Sequence, residues 1–135
     1  MSVIKSKRNE SDCLYLYNGL QLYKYTLERY KKLPKEYNSD IKPRIEECAD
    51  KILFNLMFAY RYEISNLHEY QVRKDILRET NAWLEKLDCM ISIVKEKNDI
   101  EERIVIPWEE LIDNEFRLIR KERDKDKLIA KELTQ

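Results

Sequence analysis

The sequence predicts an all-α fold, an antiparallel up-down-up-down four-helix bundle. The 135 residues include one glycine and three prolines, and this scarcity argues against the many turns and bulges of strand-rich folds. Apolar residues also recur at intervals of three and four in four separate stretches, which is the spacing of amphipathic helices. Because the connections between these stretches are short, successive helices are expected to pack antiparallel in a single domain, residues 1–135.

The first helix is the most clearly patterned. Ser11 or Asp12 can cap its start, and it is expected to end near Pro34, since proline lacks an amide hydrogen and restricts the residue before it. The predicted core stripe consists of Cys13, Leu16, Leu20, Tyr23, Leu27 and Tyr30. Apolar surface outside such a stripe favours self-association. The residues outside it are Tyr15, Leu22 and Tyr25.

Three further helices follow from the same spacing. A loop through residues 37–40 leads to the second helix, whose first turn tolerates Pro43. Its core stripe is Ile45, Cys48, Ala49, Ile52, Leu56 and Ala59. The third stripe is Val72, Ile76, Thr80, Trp83, Leu87, Met90 and Val94, widened by Leu77, Leu84 and Ile91. The fourth is Trp108, Leu111, Ile112, Leu118 and Ile119. The tail is mostly charged from Lys121 onward, and residues 127–135 are expected to be frayed or disordered.

Charge is balanced overall but unevenly distributed. Residues 1–36 carry eight basic and four acidic groups, residues 37–116 eleven and eighteen, and residues 117–135 seven and four. The formal net charge is zero, so no bulk cationic field indicates a nucleic-acid partner. The two ends, including the N-terminal segment 1–10, are basic. If the first and last helices are neighbours, these ends would form a basic face, although a solvated, salt-bridged surface is the commoner arrangement.

Three groups of cations are candidate phosphate contacts. The first precedes helix one and contains Lys5, Lys7 and Arg8. The second lies at the end of helix one and contains Arg29, Lys31, Lys32 and Lys35. The third lies in helix four and its tail and contains Arg117, Arg120, Lys121, Arg123, Lys125 and Lys127. Phosphate binding needs several cations on one surface, and the spacing of Arg117, Arg120 and Lys121 places them on one helix face.

The same cations also have a purely structural interpretation. Cations near helix C-termini complement the helix dipole, and acidic neighbours can neutralise much of the third group. Those neighbours are Glu122, Asp124 and Asp126. Charge alone therefore leaves nucleic-acid binding and a solvated surface both open.

The residues give no sign of catalysis. The chain has one histidine, His68, and no Glu-x-x-His pair of the kind that bundles use to hold metals. One glycine cannot form a glycine-rich phosphate loop. We therefore expect neither enzymatic activity nor a cofactor, a metal or a small-molecule substrate.

Localisation follows from the cysteines and from hydropathy. Three widely spaced cysteines, Cys13, Cys48 and Cys89, are expected to be buried reduced thiols, as in a cytoplasmic protein. No leading apolar run or membrane-spanning stretch is evident. We therefore expect a cytoplasmic protein without a membrane partner.

Several segments resemble one family along nearly the whole chain. They are Val3 to Ser11 (VIKSKRNES), Tyr25-Thr26, Leu33 to Tyr37 (LPKEY), Tyr70 to Lys74 (YQVRK), Trp108-x-x-Leu111-Ile112 and Leu118-Ile119-Arg120. The chain thereby resembles the accessory variability determinant proteins of diversity-generating retroelements, which are four-helix bundles. Related bundles occur as intervening-sequence proteins of bacterial ribosomal RNA genes, and these have no clear function.

The resemblance implies a non-catalytic partner of a reverse transcriptase. Such proteins form a ring-like homo-pentamer, bind the enzyme and its template RNA (or DNA), and support error-prone copying in mutagenic retrohoming. The cations at matching positions are Lys5, Lys7, Arg8, Lys35, Arg73 and Arg120. This chain departs from the family in being neutral rather than basic. The alternative is a structural protein-interaction bundle of the intervening-sequence type with no nucleic-acid role.

Overall fold

The computed structural model describes residues 13–135, which form four α-helices and no strand. Helix α1 spans Leu14–Tyr30, α2 Ile41–Arg61, α3 Leu67–Glu96 and α4 Glu102–Leu133. A short 3₁₀ helix, Lys35–Tyr37, lies between α1 and α2. Each helix packs against the next along the chain, and α4 packs against α1. The predicted all-α four-helix bundle is confirmed.

The turn between α3 and α4 shows how the chain reverses without glycine. Asn98 adopts a left-handed backbone conformation with φ of 57°, which asparagine tolerates better than most residues. The Asn98 amide donates to the Lys95 carbonyl over 3.0 Å, and the Asp99 amide donates to the Val94 carbonyl over 3.3 Å. These two bonds satisfy carbonyls that the helix end leaves without a partner.

The start of α3 is capped by side chains. Asn66 Oδ1 accepts a hydrogen bond from the Glu69 amide over 2.9 Å. Glu69 reaches back, and its Oε1 accepts from the Ser65 amide over 2.8 Å. This reciprocal arrangement satisfies donors at the helix start. The bonds from Ser65 also lower the pKa of Glu69.

The predicted core stripes of α2, α3 and α4 face the interior for the most part. All six predicted α2 positions, from Ile45 to Ala59, are buried. In α3 the widening residues Leu77, Leu84 and Ile91 are completely or almost completely buried, whereas Val72, Ile76 and Trp83 are half-buried. The core-facing side of α3 is therefore rotated slightly from the predicted stripe. In α4, four of the five predicted positions are buried and Leu111 is half-buried.

The predicted stripe of α1 is correct at Cys13 and Tyr30, which are buried, and wrong at the four positions between them, which are half-buried or exposed. The buried residues of this helix are Tyr15, Gly19, Leu22, Thr26 and Tyr30, whereas Leu20 is 37 % exposed. Two of the buried positions, Gly19 and Thr26, have no large apolar side chain. They are buried because Gly19 lies against Leu56 and Thr26 accepts a hydrogen bond from Trp108. The pattern of large apolar residues alone therefore selected the wrong face. The predicted caps, Ser11 and Asp12, lie outside the described residues.

Helix α4 continues well past the point where the sequence suggested disorder. It is helical to Leu133, and the buried residues Asp126 and Ala130 attach this last part to the bundle. Asp126 is held there by an ion pair with Arg73 of α3. Packing and this ion pair therefore attach the last part of α4 to the bundle, although many residues from Lys121 onward are charged.

Two of the three cysteines behave as predicted. Cys13 and Cys48 are buried, but Cys89 is exposed, because it faces away from the bundle on α3. Burial raises the pKa of the Cys48 thiol to about 11. Within residues 13–135, no helix combines the length and the apolar composition that a membrane span requires.

Candidate nucleic-acid interface

The exposed cations of α4 form the strongest candidate surface. Arg117, Arg120 and Lys121 are all exposed and lie three and four residues apart on one side of the helix. No ion pair between described residues involves any of the three. Their charge is therefore available to an anionic partner. We call these three residues the α4 cationic patch.

A groove between α1 and α4 adjoins this patch. It has a volume of about 300 Å³ and is lined by Leu14, Tyr17, Asn18, Gln21, Asn114, Arg117 and Leu118. Tyr17 on the α1 wall is 61 % exposed, and Arg117 on the α4 wall belongs to the cationic patch. The groove thus combines an aromatic ring, several side-chain amides and a guanidinium. We call it the α1–α4 groove.

A buried acid lies directly beneath the groove. Asn18 Nδ2 donates to the Leu111 carbonyl over 3.0 Å and to Glu115 Oε1 over 2.9 Å. Glu115 is completely buried. Burial raises its pKa to about 8, although the bond from Asn18 lowers it in part. At neutral pH the carboxyl is therefore mainly protonated, and it places little negative charge under the cationic patch.

The second predicted group lies at the other end of α1. Lys31, Lys32 and Lys35 are exposed, whereas Arg29 is half-buried, with its guanidinium carbon 5.1 Å from the centroid of the Tyr25 ring. Arg29 therefore packs against the protein. With a rise of 1.5 Å per residue, Lys31 lies about 20 Å along α1 from Tyr17. The helices α1 and α4 are neighbours as expected, but these two cationic groups do not merge into one face.

Arg73 has a structural role, which corrects its prediction as a phosphate contact. It is 5 % exposed, and its Nε lies 2.7 Å from Asp126 Oδ2. Its other nitrogens pair with Glu122 and donate to the Ala59 and Tyr62 carbonyls. A guanidinium with these partners is unavailable to phosphate. Arg73 therefore fastens α3 to α2 and α4.

The remaining predicted cations are dispersed. Arg123 is half-buried and lines a small pocket with Tyr70, Lys74 and Lys127, on the α3 side of α4 and away from the α1–α4 groove. Lys5, Lys7 and Arg8 lie outside the described residues. Among the described residues of the predicted groups, Arg117, Arg120 and Lys121 lie together beside the α1–α4 groove.

Sequence reasoning missed the groove residues. Tyr17, Gln21 and Asn114 belong to no recognised motif, and only the pairing of α1 with α4 brings them together. The predicted stripe gave no signal for Tyr17, because position 17 lies four residues after Cys13 and three before Leu20 and so adjoins the predicted core face. An exposed aromatic residue in a charge-rich helix marks a candidate contact.

A second, apolar surface lies on α2. It has a cleft of about 260 Å³ lined by Phe54, Met57, Phe58, Arg61 and Tyr62. Phe54 is 67 % exposed. The rings of Phe58 and Tyr62 are stacked, with centroids 5.6 Å apart and planes at 18°. We call these five residues the α2 aromatic patch.

The described residues, 13–135, contain no group of three or more His, Cys, Asp or Glu side chains arranged to hold a metal ion. Comparison of the chain with protein-family models, with curated proteins and with solved structures finds no match.

Proposed function

We propose that this protein binds RNA through the α4 cationic patch, as a non-catalytic accessory protein of a reverse transcriptase in mutagenic retrohoming. The observation that supports RNA binding is the exposure of Arg117, Arg120 and Lys121 without ion pairs among the described residues. Cations clustered in this way release several counterions when they meet a phosphate backbone. The adjoining groove adds aromatic and amide groups that suit nucleic acid.

The reverse transcriptase as partner rests on the resemblance to accessory proteins of diversity-generating retroelements. From the same resemblance we propose a homo-pentameric ring and a cytoplasmic location. The antiparallel up-down order belongs to this proposal as well. It is supported by two contacts between α1 and α4, because the partner on α4 moves back from Glu115 to Trp108 as the residue on α1 moves forward from Asn18 to Thr26.

Binding of a single-stranded RNA of about 12 nucleotides, measured by fluorescence anisotropy between 50 and 300 mM salt, tests the RNA proposal. The test variant is Arg117→Gln/Arg120→Gln/Lys121→Gln. Neutralising three phosphate contacts on a single strand is expected to reduce the slope of log affinity against log salt by about 2. An unchanged slope and affinity would remove the α4 cationic patch from the proposal.

The matched control is Lys31→Gln/Lys32→Gln/Lys35→Gln, which removes the same charge from the other end of α1. Since Lys31 lies about 20 Å along α1 from Tyr17, which faces the α4 cationic patch across the groove, we expect the control to lose less affinity than the test variant. An equal or larger loss in the control would move the contact surface to that end.

The alternative function, a protein-interaction bundle without a nucleic-acid role, is favoured by the α2 aromatic patch. Exposed aromatic and methionine side chains clustered in this way are typical of protein-binding surfaces. Copurification at low salt of a protein partner without RNA, abolished by Phe54→Ser/Phe58→Ser, would support this alternative. Recovery of RNA with the wild-type protein would contradict it.

A further inference from the structure

The two walls of the α1–α4 groove offer different chemistry. On the α1 wall, Tyr17 exposes 61 % of its surface and Leu14 exposes 42 %. On the α4 wall, Arg117 is exposed and has no ion pair among the described residues. An aromatic face and a cation thus line the same space of about 300 Å³.

The groove also presents polar groups that can meet the edge of a flat ligand. Gln21 and Asn114 carry amides, each with two N–H donors and one acceptor oxygen. The amide of Asn18 is already engaged below, with Leu111 and Glu115. Because Glu115 below the groove is mainly protonated at neutral pH, it repels an anionic ligand only weakly.

We propose that the α1–α4 groove takes up one unstacked base of single-stranded RNA. The base stacks on Tyr17, its edge faces the amides of Gln21 and Asn114, and an adjacent phosphate pairs with Arg117. This inference rests on the proposed RNA binding and adds a substrate class, namely single strands rather than duplex.

The preference for single strands follows from access to the base. A base within an A-form duplex is stacked on both faces, so its π surface is closed to a protein ring. Stacking on an aromatic side chain is also largely indifferent to sequence, because every base has a π face. We therefore expect weak sequence preference together with strong discrimination against duplex RNA.

The test compares a fluorescein-labelled 12-nucleotide single strand with a hairpin duplex of the same composition, at fixed salt. Wild-type protein is expected to bind the single strand more tightly. Tyr17→Leu keeps an apolar side chain but removes the ring, and it is expected to weaken single-strand binding roughly 5- to 150-fold, the equivalent of about 1–3 kcal/mol for one stacked base. The salt slope should not change, since no cation is lost.

Two control variants sharpen this result. Tyr17→Phe keeps the ring and should bind within about twofold of the wild type. Phe54→Leu removes a similarly exposed ring (67 %) from α2 and should leave binding unchanged. Thermal unfolding followed by circular dichroism checks that each variant is folded, which we expect because both positions are exposed.

A direct readout uses a single strand that contains 2-aminopurine, whose fluorescence is quenched by stacking on an aromatic ring. Quenching by the wild type and not by Tyr17→Leu supports the inference.

Equal affinities of the wild type and Tyr17→Leu for the single strand would overturn the inference. Equal affinities of the wild type for the single strand and the hairpin would also overturn it. If affinity then still depends on the α4 cationic patch, the proposed RNA binding survives. If the wild-type protein binds neither the single strand nor the hairpin at 50 mM salt, both the base-binding inference and the proposed RNA binding are overturned.

Discussion

Asn18 Nδ2 donates a hydrogen bond to Glu115 Oε1 over 2.9 Å and joins α1 to α4 in the interior of the bundle. The other carboxyl oxygen of Glu115 has no hydrogen-bond partner among the described residues. A completely buried carboxyl with one donor is more stable protonated than ionised, which is why its pKa rises to about 8.

The raised pKa of Glu115 makes folding stability depend on pH. The unfolded chain loses this proton near pH 4.5, whereas the folded protein keeps it to about pH 8. Its contribution is therefore fully present below pH 4.5 and is lost as pH rises to about 8, with a slope of up to about 1.4 kcal/mol per pH unit. Urea unfolding at pH 5, 6.5 and 8 measures this dependence of the free energy of unfolding on pH.

We expect Glu115→Gln to flatten the dependence of the free energy of unfolding on pH. The exposed control Glu110→Gln should leave that dependence unchanged. Parallel profiles for wild type and Glu115→Gln would contradict the assignment.

Removing Arg73 should strongly destabilise the fold. Arg73→Met leaves the buried carboxylate of Asp126 without its cation, and breaking a buried pair from one side costs about 3–5 kcal/mol. The matched control Arg117→Met, at an exposed arginine without an ion pair among the described residues, should change the free energy of unfolding by less than about 0.5 kcal/mol. Denaturant unfolding measures the free energy of unfolding of both variants and tests this difference. Adding Asp126→Leu to Arg73→Met should recover much of the loss, and a double variant as unstable as Arg73→Met would indicate another cause.

The hydrogen bond between Trp108 and Thr26 should contribute measurably to stability. Trp108 Nε1 donates to Thr26 Oγ1 over 2.9 Å in the interior. Thr26→Val leaves the indole N–H without an acceptor, at a cost of about 1–3 kcal/mol. Thr80 is an internal control because it is equally buried, but its hydroxyl donates to the Ile76 carbonyl of its own helix. Thr80→Val should therefore cost clearly less, and equal losses in chemical denaturation would contradict this view.

Gly19 should resist replacement although it lies inside a helix. Alanine there would gain up to about 1 kcal/mol of helix propensity. Its methyl group, however, would overlap Leu56 Cδ1 and lie 3.6 Å from the Glu115 carboxyl oxygens. Overpacking of this kind costs about 1–3 kcal/mol, so we expect Gly19→Ala to destabilise the protein.

A double-mutant cycle tests this packing explanation. Leu56→Ala creates space next to Gly19, so Gly19→Ala should become neutral or stabilising in that background. The free energy of unfolding of the four proteins in the cycle provides the coupling energy. Additive effects would show that Leu56 is not the obstacle.

The fold was predictable where large aliphatic residues mark the interior. Leu56, Leu87 and Ile112 are completely buried, as their spacing indicated. The buried face of α1 was not predictable in this way, because Gly19 and Thr26 lie on it and neither has a large apolar side chain. Their role depends on Leu56 and Trp108, which lie on other helices.

The candidate site was predictable only in part. Local spacing was sufficient to group Arg117, Arg120 and Lys121, because neighbours on one helix share a face. The opposite wall with Tyr17 depends on how α1 packs against α4, which local spacing does not encode. Arg73 was predicted as a phosphate contact from the resemblance alone, although it lies four residues before the buried Leu77 and so shares its face.

The setting of Arg73 also constrains how this protein can evolve. The planar guanidinium of Arg73 donates hydrogen bonds to Asp126, Glu122 and two main-chain carbonyls at the same time. The compact ammonium of lysine cannot reproduce this arrangement of donors. Substitution of Arg73 by lysine is therefore expected to be selected against, although the same substitution is tolerable at most surface arginines. Lineages that lose the arginine are expected to change the acidic positions of the last helix together with it.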